Sequence, residues 1–144
     1  MNIIKIFNNI ILTDNLNFSE NFFNENDIKE IIMIELDNDQ IIYNDDFLNS
    51  NKIVISTNNP EINFDHTNAI IFNFLSNLFG NILIVSKNNT LGFVIVMGFL
   101  IKYLKVSLID CLVLGVSKNI VGLNQSIYIK HLNEYNLYLK NNKS

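Results

Sequence analysis

The sequence contains no arginine and no tryptophan, so its ten basic residues are all lysines. The guanidinium group grips phosphate with two parallel hydrogen bonds, and this chain cannot supply one. The formal net charge is −4 and the isoelectric point is near 5.0. Such a chain gains no general attraction to a phosphate backbone, so nucleic-acid binding is not favoured. Only a possible patch of Lys102, Lys105 and Lys118 favours nucleic-acid binding.

Cysteine and proline occur once each, and apolar runs are short. The single Cys111 excludes an internal disulfide framework and fits a reducing compartment. Its apolar helical context predicts a small buried side chain. The longest apolar run, residues 91–101, is too short to span a membrane. No signal-peptide pattern is present at the N-terminus. The sequence therefore predicts a soluble intracellular protein, cytoplasmic or nuclear, without membrane association.

Asparagine, isoleucine and lysine are abundant instead. The asparagines are spread among periodic apolar positions, so we interpret them as the coding bias of an AT-rich genome. A chain of 144 residues with 49% hydrophobic residues can bury a sizeable core in one domain. We expect residues 1–140 to form that domain and residues 141–144 to be a polar C-terminal tail.

Apolar periodicity predicts an α/β fold. Runs with strand character lie at residues 3–12, 28–36, 40–43, 53–55 and 82–85. Helical periods lie at residues 65–78, 92–104, 108–116 and 125–140. Alternating strands and helices predict a single domain with a central, mostly parallel sheet of about four or five strands flanked by helices. The continuous apolar run at 82–85 is typical of a buried strand in the middle of such a sheet.

The most informative stretch is residues 81–93, Asn-Ile-Leu-Ile-Val-Ser-Lys-Asn-Asn-Thr-Leu-Gly-Phe. A short apolar strand ends there in a polar loop, and the loop opens directly onto a helix. Backbone N–H groups at the positive end of a helix form a natural anion site. The pattern therefore indicates a candidate anion site at this junction.

This stretch resembles the active-site loop of the dual-specificity (cysteine-dependent) protein phosphatases. In that family the strand ends in His-Cys, five loop residues follow, and an arginine begins the helix. Val85 stands here at the histidine position, Ser86 at the cysteine position and Gly92 at the arginine position. The resemblance implies a degenerate phosphate loop formed by Val85, Ser86, Lys87, Asn88, Asn89, Thr90, Leu91 and Gly92.

Further segments resemble family elements in the same order along the chain. They lie at residues 6–12, 27–35, 52–56, 64–75, 92–104, 107–112 and 124–135. The resemblance thus covers most of the chain and implies the fold of this family.

The resemblance also implies that three catalytic groups are replaced. The nucleophile position holds Ser86, which forms no anion at neutral pH without a base. The phosphate-clamp position holds Gly92, which has no side chain. The general-acid position falls at Asn58, with Asn59 as the alternative, and an amide cannot donate a proton at a useful pKa. We therefore expect that the chain is not an enzyme and has no catalytic residue, cofactor or metal ion.

Weak phosphate or phosphoprotein binding stays open. Lys87, Thr90 and the loop amides favour it, whereas Asn89 replaces the glycine usual in the family. Leu91 and Phe93 are bulkier than the small polar residues usual there, and we expect both to be partly buried at the start of the helix.

The sequence thus predicts a catalytically inactive pseudophosphatase that acts through protein–protein interaction. It would bind phosphatase targets or form a fixed part of a larger assembly. Tyr128, Tyr135 and Tyr138 recur at helical spacing and predict one packed face, which becomes a partner surface if it is exposed. Two alternatives remain open: an active or weakly active phosphohydrolase that uses Ser86, and a nucleic-acid-associated factor.

Overall fold

The computed structural model describes residues 3–7, 9–14, 21–36, 51–55, 62–77, 80–87, 89–120, 122–123 and 127–142. Its elements, in chain order, are β1 Ile3–Phe7, β2 Ile10–Thr13, α1 Phe22–Glu25, β3 Ile28–Leu36, β4 Asn51–Ile55, α2 Phe64–Ser76, β5 Asn81–Ser86, α3 Asn89–Tyr103, α4 Leu108–Ser117 and α5 Ile127–Asn141. The strand predicted at residues 40–43 lies outside the described residues.

The strands form one five-stranded sheet in the order β1-β2-β5-β3-β4. Strand β5 pairs in parallel with β2 and β3, and β3 pairs in parallel with β4. Only β1 runs antiparallel to its neighbour, β2. This confirms the predicted α/β fold with a mostly parallel sheet and with residues 82–85 in its centre. A central strand has neighbours on both sides and cover on both faces, which is why its apolar run is unbroken.

The apolar run at residues 3–12 is two strands instead of one, and here the prediction was wrong. Ile3 pairs with Thr13 and Phe7 with Ile10, so the chain reverses between Phe7 and Ile10, where Asn9 lies in the turn. The side chain of Asn9 fixes this hairpin to the start of β5, because its Nδ2 donates to the carbonyl oxygen of Gly80 at 3.0 Å. The apolar residues on either side of the turn conceal the reversal in the sequence.

Side-chain alternation along the strands divides the core into two parts. Ile82 and Ile84 of β5 belong to a large cluster under the helical layer. Leu83 and Val85 point to the other face and form a smaller cluster with Phe22 of α1. The short helix α1 was not predicted; it covers the smaller face with this one buried ring.

Helix α3 lies at the centre of the helical layer. Every residue from Thr90 to Ile101 is buried, so this helix is apolar all round and needs cover on every side. The sheet covers one side, and α2, α4 and α5 pack on the others. Gly98 lets α2 approach, because a Cβ at this position would collide with the ring of Phe64. No helix in the described part of the chain is both long and apolar enough to cross a membrane.

Candidate functional site

The junction between β5 and α3 brings Ser86 to the end of the central strand. Ser86 is the last residue of β5, and α3 begins only three positions later, at Asn89. By alternation, Ser86 faces the same side as Ile82 and Ile84, towards the helical layer, whereas Val85 faces the smaller cluster. Only 2% of Ser86 is exposed, while Lys87 is exposed. The serine hydroxyl therefore lies in the interior, beneath the start of α3.

Helix α3 starts earlier than the resemblance implied. Asn89, Thr90 and Leu91 are helical residues instead of loop residues, so the prediction that the helix begins at Gly92 was wrong. The first N–H groups of a helix have no acceptor within the helix, and here they belong to the turn from Asn89 to Gly92. What the junction presents is thus a helix N-terminus reached through a short connection, not a loop of five residues.

Gly92 lies where this helix packs against strand β2 of the sheet. A Cβ on Gly92 would lie 2.5 Å from Cδ1 of Leu12 and 3.6 Å from the Cβ of Ser86. Leu12 is fully buried in β2. The space that a side chain at position 92 would enter is therefore filled by leucine. Positions 86 and 92 are neighbours, and a side chain at 92 would have to displace the end of the Leu12 side chain.

Leu91 and Phe93 are buried at the start of α3, as predicted, with 1% and 0% of their surface exposed. Phe93 packs against Gly115 of α4, where a Cβ would come within 2.9 Å of the phenyl ring. The apolar bulk introduced at these two positions joins the junction to the core of the domain. Asn58, the alternative Asn59 and Asn88 lie outside the described residues.

Among the described residues, no three of the His, Cys, Asp and Glu side chains lie together as metal ligands would. Cys111 is fully buried in α4, and burial raises the pKa of its thiol to about 11, with a smaller contribution from the charge of Asp110. A thiol in this state is a packing residue and not a nucleophile.

Tyr128 and Tyr135 of α5 belong to a packed face, which confirms the prediction for these two, whereas Tyr138 does not. Tyr135 stacks on Phe64 with ring centres 4.7 Å apart. Its hydroxyl donates to Oδ1 of Asp65 at 3.0 Å and accepts from Nδ2 of Asn68 at 3.1 Å. Burial, followed by the hydrogen bond to Asp65, raises the pKa of Tyr135. Tyr138 alone is largely exposed, at 54%.

The surface that sequence reasoning missed is the outer face of α4. Ile109, Val113 and Val116 are 72%, 61% and 66% exposed. Their spacing of four and three residues places them on one face, and we call these three residues the α4 stripe. The opposite face packs inward through Cys111 and Gly115. The sequence shows that α4 is apolar on most of its circumference, but it does not show which part of that surface the other elements cover.

An open groove of about 920 Å³ lies beside the start of α4. It runs between the end of α3, the connection to α4 and the end of α5, and we call it the lysine groove. Lys102, Lys105 and Lys140 line it together with Val106, Leu108 and Leu139. Helix α3 has 15 residues, so the groove is about 20 Å from Ser86 along the helix axis.

No protein-family model matches the chain, and no curated protein matches its sequence. Solved structures do match. A leucine-rich-repeat and phosphatase-domain protein from Entamoeba histolytica is 19% identical, with 99% of this chain and 95% of that one covered and a TM-score of 0.69. Human DUSP28 is 11% identical, with 96% and 95% covered and a TM-score of 0.66. Tk-PTP in its active form is 10% identical, with 98% and 97% covered and a TM-score of 0.70.

These similarities correct one prediction. The sequence led us to expect that the chain is not an enzyme. The solved structures with the same architecture are phosphatases by name, and this finding contradicts that expectation. At these levels of identity the similarity concerns the fold. The chain has the fold of the dual-specificity phosphatases.

Proposed function

We propose that this chain binds a protein partner through the outer face of α4, on a scaffold with the dual-specificity-phosphatase fold. The observation that carries the proposal is the α4 stripe. Single exposed apolar residues are ordinary on protein surfaces. Three large aliphatic residues in register on one helix form a contiguous patch, which is typical of an interaction surface.

The energy available at this patch is substantial. Covering an exposed valine or isoleucine side chain completely is worth about 1.5–3 kcal/mol. Ile109, Val113 and Val116 still expose most of their surface, so a partner that covers them recovers a large part of that amount at each position. The partner would be a phosphatase target or another subunit of a larger assembly.

The proposed surface is separate from the junction at Ser86. Helix α4 begins just beyond the C-terminal end of α3, whereas Ser86 lies beneath the N-terminal end of α3. A partner held by apolar contacts on α4 therefore does not require a phosphate group. We expect binding to depend on the aliphatic residues and to be insensitive to free phosphate.

The test is affinity capture from native lysate with four forms of the protein: the wild type, Ile109→Ser, Val113→Ser and Val54→Ser. Val54 is a matched control, because it is 60% exposed on β4, away from α4. We expect the α4 variants to lose a partner that the wild type and Val54→Ser retain, with or without millimolar phosphate. The proposal would be refuted if both α4 variants still captured the partners of the wild type. It would also be refuted if adding phosphate alone released the partners from the wild type.

A second candidate function is hydrolysis of phosphate monoesters at Ser86. The observation that favours it is the fold shared with named phosphatases, together with a hydroxyl at the end of the central strand and a helix N-terminus directly after it. Aryl-phosphate turnover should be measured for the wild type, Ser86→Ala and Ser117→Ala, the last as a control on the surface of α4. Turnover that Ser86→Ala abolishes and Ser117→Ala preserves would support this function. Equal rates in protein and buffer would exclude it.

A further inference from the structure

We propose that the partner presents an acidic amphipathic helix, which lays its apolar side on the α4 stripe and its carboxylates against the lysine groove. This inference rests on the proposed protein-binding function and specifies the chemistry of the partner. Its basis is that the α4 stripe is continuous with the lysine groove, although the protein as a whole is acidic.

Charge is distributed unevenly over this molecule. The chain carries 14 acidic residues and 10 lysines, for a formal net charge of −4. The lysine groove nevertheless has three lysines and no aspartate or glutamate among its lining residues. A local cationic surface on an acidic protein favours an acidic ligand and repels a basic one.

The groove and the stripe form one continuous surface. Ile109 belongs to both, since it lines the groove and begins the stripe. From there the stripe follows α4 for about 10 Å to Val116. The lysines of the groove therefore lie at one end of the stripe, beside Ile109. A helix with apolar residues at spacings of three and four and with acidic residues at one end matches this pattern.

The same charges argue against a second copy of this chain as the occupant. In an antiparallel pairing of two α4 helices, the lysine groove of one copy would face the Val116 end of the other, and residues 114–120 there include no carboxylate. In a parallel pairing, the lysine grooves of the two copies would meet. Neither arrangement offers the lysines an opposite charge, so a second copy leaves the charge of the groove unmatched. A nucleic acid would use the lysines but leave the aliphatic strip uncovered.

Lys105 and Lys140 are the residues on which to test the charge. Lys102 already contacts Oδ1 of Asp65 at 3.2 Å, so part of its charge is neutralised. Lys105 and Lys140 are both exposed, at the connection before α4 and in the last turn of α5. The matched control is Lys29, an exposed lysine on β3.

The experiment uses two designed helical peptides of about 18 residues, long enough to span α4. Both carry the same leucine stripe, and one has glutamates where the other has lysines. Fluorescence anisotropy measures their binding to the full chain. We expect the acidic peptide to bind at least about tenfold more tightly than the basic one, and to weaken as salt rises from about 50 to about 300 mM.

The variants separate the two parts of the site. Lys105→Glu/Lys140→Glu should weaken the acidic peptide by about tenfold and remove the preference over the basic one, while Lys29→Glu changes neither. Val113→Ser/Val116→Ser should weaken both peptides, while Val54→Ser changes neither. Circular dichroism of each variant verifies that it is folded.

Several outcomes would overturn the inference. Equal binding of both peptides would refute the acidic partner but leave the proposed protein-binding function intact. Absence of binding, or acidic-peptide binding that both double variants retain, would also refute it. Sedimentation with anionic vesicles that depends on the same residues would indicate a membrane surface instead. A dimer in analytical ultracentrifugation that Val113→Ser/Val116→Ser dissociates would assign the stripe to a second copy.

Discussion

Gly92→Ala should destabilise the protein even though alanine is the better helix former. In a helix interior, alanine in place of glycine favours the folded state by about 1 kcal/mol. At this position, however, the new methyl group would lie 2.5 Å from Cδ1 of Leu12, well inside van der Waals contact. Because Leu12 is fully buried and closely packed, relieving the contact requires movement in the core, and such overpacking costs about 1–3 kcal/mol.

The cost of overpacking exceeds the gain in helix propensity, so we expect the unfolding free energy to fall by about 1 kcal/mol. For a domain of this size, this corresponds to a decrease of about 3 °C in Tm. The control is the same substitution in a Leu12→Val background, which removes the terminal methyl groups of the leucine side chain. Leu12→Val alone should cost about 1 kcal/mol. In that background Gly92→Ala should become neutral or stabilising, because the obstructing atom is gone.

Urea denaturation of the four proteins gives the coupling energy between the two positions, which we expect to be about 1–2 kcal/mol in favour of the double variant. If Gly92→Ala stabilises the protein by the same amount in both backgrounds, Leu12 does not occupy the space at position 92. The explanation for glycine at this site would then be wrong.

Other predictions concern the helical layer. Tyr135→Phe removes the acceptor for the buried Asn68 amide and the donor to Asp65, so it should cost about 1–2 kcal/mol in urea denaturation, whereas Tyr138→Phe on the exposed side should change stability by less than about 0.5 kcal/mol. Cys111 should react with a disulfide reagent at pH 8 about a hundredfold more slowly in the folded protein than in urea, because a pKa of about 11 leaves little thiolate. The same thiol should make stability depend on pH. The unfolded chain loses this proton near pH 9.0, so the contribution is complete below pH 9 and falls as the pH rises towards 11. Cys111→Ser should reduce that dependence in denaturation curves recorded across this range.

The sequence alone was sufficient for the architecture. An unbroken apolar run cannot face water, so residues 82–85 had to form a strand covered on both faces. The alternation of strands and helices then required a mostly parallel sheet. The predicted helices corresponding to α2, α4 and α5 agree with the structure to within about two residues at their ends.

The local sequence pattern was insufficient to predict the positions at which elements begin, end or become buried. The reversal between β1 and β2 is invisible to periodicity, because apolar residues continue on both sides of the turn. The early start of α3 also depends on tertiary contacts, since Thr90 and Leu91 become helical where they can pack inside the domain. The resemblance was sufficient to place Ser86 at the end of the central strand. Its burial, however, depends on helix α3, which covers it.

Only the tertiary structure decided which apolar residues remain uncovered. In the sequence, α3 appears as a helix that is apolar all round, and α4 as one that is apolar on every side except that of Asp110 and Ser117. Helix α3 lies between the sheet and three other helices, so each of its apolar residues finds a neighbour. Helix α4 packs through only one face, and Ile109, Val113 and Val116 are left at the surface. Composition specifies how much apolar surface a helix has, but the arrangement of the other elements determines which part of it is exposed to solvent.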